Sequence, residues 1–206
     1  MKSKIILGTI LSFSLFLLGL MSYSCSPNNK IPSENINAVL SILEDDVSGI
    51  AWSNQSTVNL NSLSASNSQG IEFTSSGVVI TDGGNYIFSG TLKNGSITVN
   101  TDEVVNLTLN KASITNPSGP ALYIKNAAQT YVTLNSNTKN FLVDGKDHSN
   151  TETAGAIYTN APLIFQGGGS LDITSISLNG ISSHAPIIMN NCALTINGVN
   201  TQKELD

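Results

Sequence analysis

The sequence predicts an all-β domain folded as a parallel β-helix, a solenoid of short stacked strands, and three observations carry that prediction. Short runs alternate polar and apolar residues: Ser96-Ile97-Thr98-Val99-Asn100, Asn106-Leu107-Thr108-Leu109-Asn110, Tyr131-Val132-Thr133-Leu134-Asn135, Ser170-Leu171-Asp172-Ile173-Thr174 and Ala193-Leu194-Thr195-Ile196-Asn197. A period of two is the mark of a strand with one buried face. Clusters of Gly, Asn, Ser and Asp separate the runs and supply turns. Phrases also recur at a nearly fixed shift. Residues 157–165 align on residues 181–189, and residues 170–173 lie over 193–196 at a shift shorter by one. Residues 122–128 open an earlier, longer copy. A repeat in the twenties is what one solenoid coil requires, because a coil buries its inward residues only against its neighbours.

A Greek-key sandwich also has many short strands, but its strands run longer and lack near-identical phrases at one shift. The Asn closing many runs suits a corner in the left-handed region, which Asn tolerates better than most residues. Trp52 precedes the repeats and is expected to cap the N-terminal end of the core.

Ahead of the strands the chain reads as an export signal over residues 1–24. Lys2 and Lys4 form a short positive segment, residues 5–21 are largely apolar, and Ser22-Tyr23-Ser24-Cys25 follows. A Cys directly after a small residue at that point resembles the bacterial lipobox, which makes Cys25 the expected lipidation site and places the protein at the cell envelope. An ordinary cleaved signal is the alternative. Residues 25–50 form a polar linker with Pro27 and Pro32, in which residues 36–43 have weak helical character. The β-helix domain is expected over residues 51–206.

Composition excludes several functions. The chain carries nine Lys and Arg together against fourteen acids, and none of the nine is Arg. Without residues 1–24 the formal charge falls from −5 to −7 through loss of Lys2 and Lys4. Such a chain is a poor partner for nucleic acid, which needs cations to displace counterions. It also lacks a basic patch for anionic lipid, so any membrane contact runs through the lipid anchor. With Cys25 lipidated, Cys192 stands alone as a half-buried structural thiol.

The phrase Val79-Ile80-Thr81-Asp82-Gly83-Gly84-Asn85-Tyr86-Ile87-Phe88-Ser89-Gly90-Thr91-Leu92 carries a family resemblance. So does the later order Ala121-Leu122-Tyr123-Ile124, Tyr131-Val132-Thr133-Leu134, Asn140-Phe141-Leu142-Val143-Asp144-Gly145, Gly155-Ala156-Ile157-Tyr158 and Asn179-Gly180-Ile181-Ser182-Ser183. Together, over roughly residues 56–198, they resemble the bacterial extracellular carbohydrate-binding β-helix proteins, which look like polysaccharide lyases but bind cellulose and pectin. The resemblance implies a right-handed parallel β-helix, bound calcium, and polysaccharide binding without cleavage. Where that family commonly carries a Ser-Lys-Asp-Asp-like segment, this chain has Ser183-His184-Ala185-Pro186 and, one coil earlier, Thr159-Asn160-Ala161-Pro162.

The available side chains fit binding better than catalysis. A lyase on this scaffold typically uses Arg or Lys to take the proton beside the uronate carboxylate, with calcium stabilising the developing charge. There is no Arg, and none of Lys93, Lys111, Lys125, Lys139 and Lys146 lies in an acidic cluster that would hold calcium and substrate together. The densest acidic loop offers Asp144, Asp147 and Glu152 as calcium ligands, though a plain solvated insertion has the same composition. Sugars pack their C–H faces on aromatic rings. Tyr123 and Tyr158 occupy equivalent outward places in their phrases and would form a ladder, with Tyr131 and Tyr86 as additions. His184 reads as a polar corner residue. The partner expected is therefore an extended polysaccharide. A structural or adhesive solenoid and a degenerate lyase are the alternatives. Residues 199–206, with Lys203, Glu204 and Asp206, read as a short polar cap on the final coil, and without such a cap end-to-end self-association is expected.

Overall fold

The computed structural model describes residues 50–146, 153, 155–176 and 179–198. These hold sixteen strands: β1 (Gln55–Asn59), β2 (Ser64–Ala65), β3 (Ile71–Thr74), β4 (Gly77–Ile80), β5 (Gly84–Leu92), β6 (Ser96–Asn100), β7 (Val104–Asn116), β8 (Leu122–Asn126), β9 (Gln129–Leu134), β10 (Lys139–Asp144), β11 (Ile157–Thr159), β12 (Leu163–Gln166), β13 (Ser170–Thr174), β14 (Ile181–Ser183), β15 (Ile187–Asn190) and β16 (Ala193–Asn197). The domain is all-β, as the alternation predicts, with one ten-stranded and one six-stranded mixed sheet and no helical element among the described residues. Cys25, residues 36–43, Asp147, His148, Glu152 and residues 199–206 lie outside the described residues.

Most pairing is parallel and falls into three rows. The N-terminal halves of β5 and β7 lead into β9, β12 and β15. Their C-terminal halves lead into β10, β13 and β16. The third row runs β4, β6, β8, β11, β14. Ile157 pairs with Ile181, Ile164 with Ile188, and Leu171 with Leu194. These pairs stand at the shifts at which the sequence repeats. The longer copy is equally visible, since Leu122 pairs with Ile157 across the intervening loop. Two antiparallel pairs, β1 with β2 and β3 with β4, close the N-terminal side. Alternation alone says nothing about strand direction, so the sequence did not distinguish them.

Stacking at one register puts like residues over like. Leu92, Ile114, Leu142, Ile173 and Ile196 form one inward line, and Val78, Ile97, Leu122, Ile157 and Ile181 another. Leu107, Val132 and Phe165 are essentially without solvent contact. Each buried side chain of this size contributes about 1.5–3 kcal/mol relative to exposure. Asn140 is one of several polar residues buried here, at 0% exposure. Its Oδ1 accepts from the Ala112 amide at 2.9 Å, while its Nδ2 donates to Thr138 Oγ1 and the Ser170 carbonyl, each at 3.1 Å. One amide thereby ties three successive coils.

The bend between the first and second rows has one backbone signature in every coil. Gly90 (φ 89°), Lys111 (φ 57°), Asn137 (φ 60°), Gly167 (φ 99°) and Asn191 (φ 46°) all take positive φ there. The expectation of Asn in left-handed corners is met by Asn137 and Asn191. It fails for the Asn residues that end four of the quoted runs, Asn100, Asn110, Asn135 and Asn197, none of which takes positive φ; after Asn110 and Asn135 the turn falls one or two residues later. At Gly167 a Cβ would run into the Leu134 carbonyl of the preceding coil, so glycine serves both the torsion and the close approach. Lys111 has neither advantage. It is exposed, and an L-residue in this region costs roughly 1–2 kcal/mol. Lys111→Gly is expected to raise the unfolding free energy by about 0.5–1 kcal/mol, read from urea denaturation; a variant less stable than the parent would refute the corner assignment.

Candidate functional site

The outward side of the third row carries Val79, Thr98, Tyr123, Tyr158 and Ser182 in one line across β4, β6, β8, β11 and β14. Tyr123 and Tyr158 are direct register partners, and their rings meet edge to face with centroids 5.6 Å apart. The row continues into His184, two residues beyond Ser182 and therefore on the same side of the chain's alternation. Its ring meets Tyr158 edge to face at 5.6 Å, and Tyr158 Oη lies 3.3 Å from His184 Nδ1. Three aromatic rings from three successive coils thus make one strip. His184 is the polar corner residue expected, exposed in the bend between β14 and β15, and this contact adds it to the strip. Its signal was in the sequence: the parity of residue 184 matches that of Ser182, which stacks on Tyr158.

The strip is not uniformly open. Tyr123 is half-buried and His184 exposed, whereas Tyr158 retains only 5% of its surface, being enclosed between its two aromatic neighbours. Tyr158 was expected to stand out beside Tyr123; it supports the strip instead of offering a face. Burial, and then the neighbouring Tyr158, push the Tyr123 phenol above its ordinary value. Tyr123 therefore remains a neutral hydroxyl, able to donate and accept, throughout the physiological range.

The added tyrosines are not surface rings. Tyr131 is 3% exposed on the first row, beside Asn106 and Ile164, which are also buried. Tyr86 is fully buried: its hydroxyl accepts from Asn54 Nδ2 at 2.9 Å and donates to the Asp82 carbonyl at 3.0 Å. Burial, with the nearby Asp82 carboxylate, pushes Tyr86 up to about 12. Neither ring can stack on a sugar. Alternation assigns a residue to a face; it does not say whether that face is covered.

Of the three residues expected to hold calcium, Asp144 lies among the described residues, and its surroundings do not fit a ligand role. It is 0% exposed. One oxygen accepts from Ser175 Oγ at 2.5 Å and the other from the Ile176 amide at 2.6 Å. Those bonds fix the turn leaving β13 to the end of β10, a structural role for this carboxylate. Cys192 is half-buried with its thiol pushed up by burial, the inert cysteine its neighbours suggested. Asp172 is not a bare solvated charge, since it pairs with Lys139 at 2.9 Å. Asp144→Asn is expected to cost about 1–3 kcal/mol, the penalty of weakening bonds to a buried carboxylate, by the same amount in EDTA and in millimolar calcium. A loss seen only with calcium present would restore the metal role.

Comparison with known proteins agrees with this surface. The family of carbohydrate-binding domain-containing proteins matches residues 74–203. A carbohydrate-binding domain-containing protein of Acetivibrio thermocellus is 29% identical over 128 residues, which cover 59% of this chain and 45% of that protein. Among solved structures, a polysaccharide lyase-like protein from C. thermocellum, determined as a gadolinium derivative, superposes with a TM-score of 0.60 at 27% identity. That match covers 68% of this chain and 60% of the other, so the chain spans about half to three fifths of the relatives it matches. The aromatic strip and the row architecture therefore sit within a matched segment of more than half the chain, and the chain belongs to the family of carbohydrate-binding domain-containing proteins.

Proposed function

We propose that this chain is an exported, lipid-anchored module that binds extended polysaccharide without cleaving it, and that its rows are the faces of a right-handed parallel β-helix. The observation that carries the reading is the strip Tyr123, Tyr158 and His184, one ring per coil. Strands in a sheet are spaced by about 4.8 Å, so the strip and its flanking Thr98 and Ser182 extend at right angles to the strands with a short repeat. An extended glycan laid along this line would meet a ring or a hydroxyl at each step. The three parallel rows, stacked at the shifts of the sequence repeat, support the β-helix, and the likeness of the phrases to the β-helix family supports its hand. The absence of Arg from the sequence supports binding over lyase chemistry. The apolar segment before Cys25 supports export and anchoring at the cell envelope.

Tyr123→Ala is expected to weaken binding about tenfold in affinity electrophoresis through soluble cellulose or pectin, the effect of removing one aromatic stacking contact. Tyr123→Phe should retain most of the binding. The glycan should leave the gel and the incubation at its original chain length. Full binding by Tyr123→Ala would remove the strip from the reading.

A second property rests on the last coil. Ile187 is 39% exposed, Met189 65% and Ile196 49%, although each is stacked on a buried residue of the coil before it. Beyond β14, β15 and β16 no further strand pairs among the described residues; residues 199–206 lie outside them, and where these do not cap the face, three strand edges and the inward line are open to a second copy. We expect end-to-end association through this face. Sedimentation should show a dimer that Met189→Lys with Ile196→Lys converts to monomer; a parent monomer at high concentration would refute it.

A further inference from the structure

A second outward row, on a different sheet from the aromatic strip, has the makings of a sugar site of its own. Thr91, Ser113, Phe141, Asp172 and Thr195 are successive register partners across β5, β7, β10, β13 and β16. Thr115, Val143, Thr174 and Asn197 form the adjacent line. Four strand spacings of about 4.8 Å make this row about 19 Å long, room for several sugars of an extended chain.

Phe141 is the one large ring in the row, and it remains 37% exposed. Its row neighbours are small hydroxyl residues and one carboxylate, so the ring stands above them. Lys139, two residues earlier on the same face, holds its ammonium 5.2 Å from the ring centroid. The same ammonium pairs with Asp172 at 2.9 Å, with side chains 60% and 25% exposed. The three side chains therefore orient one another, so part of the ordering cost of a binding surface is already met in the free protein.

We propose that this row is a second carbohydrate-contact face, which takes neutral pyranose sugars. It rests on the reading of the chain as a polysaccharide binder, but on residues that reading does not use. Phe141 receives the C–H face of one sugar ring. Lys139 donates to, and Asp172 accepts from, hydroxyls at its edge, and Ser113, Thr115, Thr174 and Thr195 meet the neighbouring units. The charge balance selects the class. Beside the ring, Lys139 and Asp172 neutralise each other, so a uronate carboxylate laid on Phe141 would face Asp172 with Lys139 already paired, while the other cations near the row, Lys93 after β5 and Lys111 on β7, stand on the coils away from Asp172. A neutral hexose or pentose, presenting paired donors and acceptors, matches the pair without that repulsion.

The test is an NMR titration of the labelled protein with cellohexaose, xylohexaose, mannohexaose and trigalacturonate. At least one neutral oligosaccharide should shift the amides around Phe141 and Asp172, and Phe141→Ala should weaken that response at least tenfold. The same variant should leave the response around Tyr123 unchanged and melt within a few degrees of the parent, since Phe141 is on the surface. Shifts confined to the Tyr123 strip would overturn this inference and leave the proposed function standing. No shift at either face with any of the four oligosaccharides would overturn both. Stronger binding of trigalacturonate than of every neutral sugar at Phe141 would overturn the ligand class.

Discussion

The left-handed corner between the first and second rows is the constraint on which the rest of the structure depends. It recurs at Gly90, Lys111, Asn137, Gly167 and Asn191, once in each coil. Each coil bends at this place, and the strands on either side of the bend stack on the coil before them, with the register shift between Phe88 and Gly90 taken up at the corner itself. That stacking is what puts Leu142 over Ile114 and under Ile173, and Phe165 over Val132. A one-residue slip in a single coil would turn its inward line outward and remove its buried surface at one stroke. The corner also tolerates chain length elsewhere. The copy from Leu122 to Ile157 is visibly longer than the next, from Ile157 to Ile181, yet Ile157 still lands on Leu122.

Much of this was legible in the sequence, for a physical reason. The runs beginning at Ser96, Ser170 and Ala193 coincide with β6, β13 and β16, because a strand with one buried face has to alternate. The repeat shifts were readable because stacked coils share corners and inward positions. What escaped was whatever alternation does not encode. β7 runs through the corner as a single strand from Val104 to Asn116, since Lys111 gives no sign that it is a turn residue. The antiparallel pairs β1–β2 and β3–β4 join short neighbouring strands, of which β2 has two residues and β3 is buried only at Ile71, too little pattern to mark their direction.

The candidate site shows the same division. Tyr123 and Tyr158 were expected to be adjacent, and they are register partners in contact, because equivalence in the repeat means adjacency in space. Their exposure could not be read in the same way. Tyr158 is enclosed by rings from the coils on either side, Tyr131 lies on a covered face, and Tyr86 supports the N-terminal coil through Asn54 and Asp82. Asp144 followed the same rule in reverse: it read as a loop carboxylate and proved to be a buried anchor for Ser175 and Ile176. Phe141 and Lys139 carried no motif, since a ring and a cation two residues apart on a strand are ordinary until the register sets Asp172 beside them.

On the proposed reading as a polysaccharide-binding solenoid, the repeat of the rows and the repeat of the ligand run in the same direction. Each contact on such a surface is weak, a single ring or a pair of hydroxyls, and most of the interaction is exchanged against water. Strength then comes from many contacts set in line on strands that do not move relative to one another, so that ordering the first sugar places the next. The strip on β8 and β11 and the row through β10 and β13 lie on different sheets, and both are fixed by the same inward stacking. Substitution at an outward position should therefore alter recognition with little effect on the fold, whereas change at an inward position or a corner disturbs both rows together. In this architecture the core specifies the spacing of the surface, and the surface chemistry selects what is laid along it.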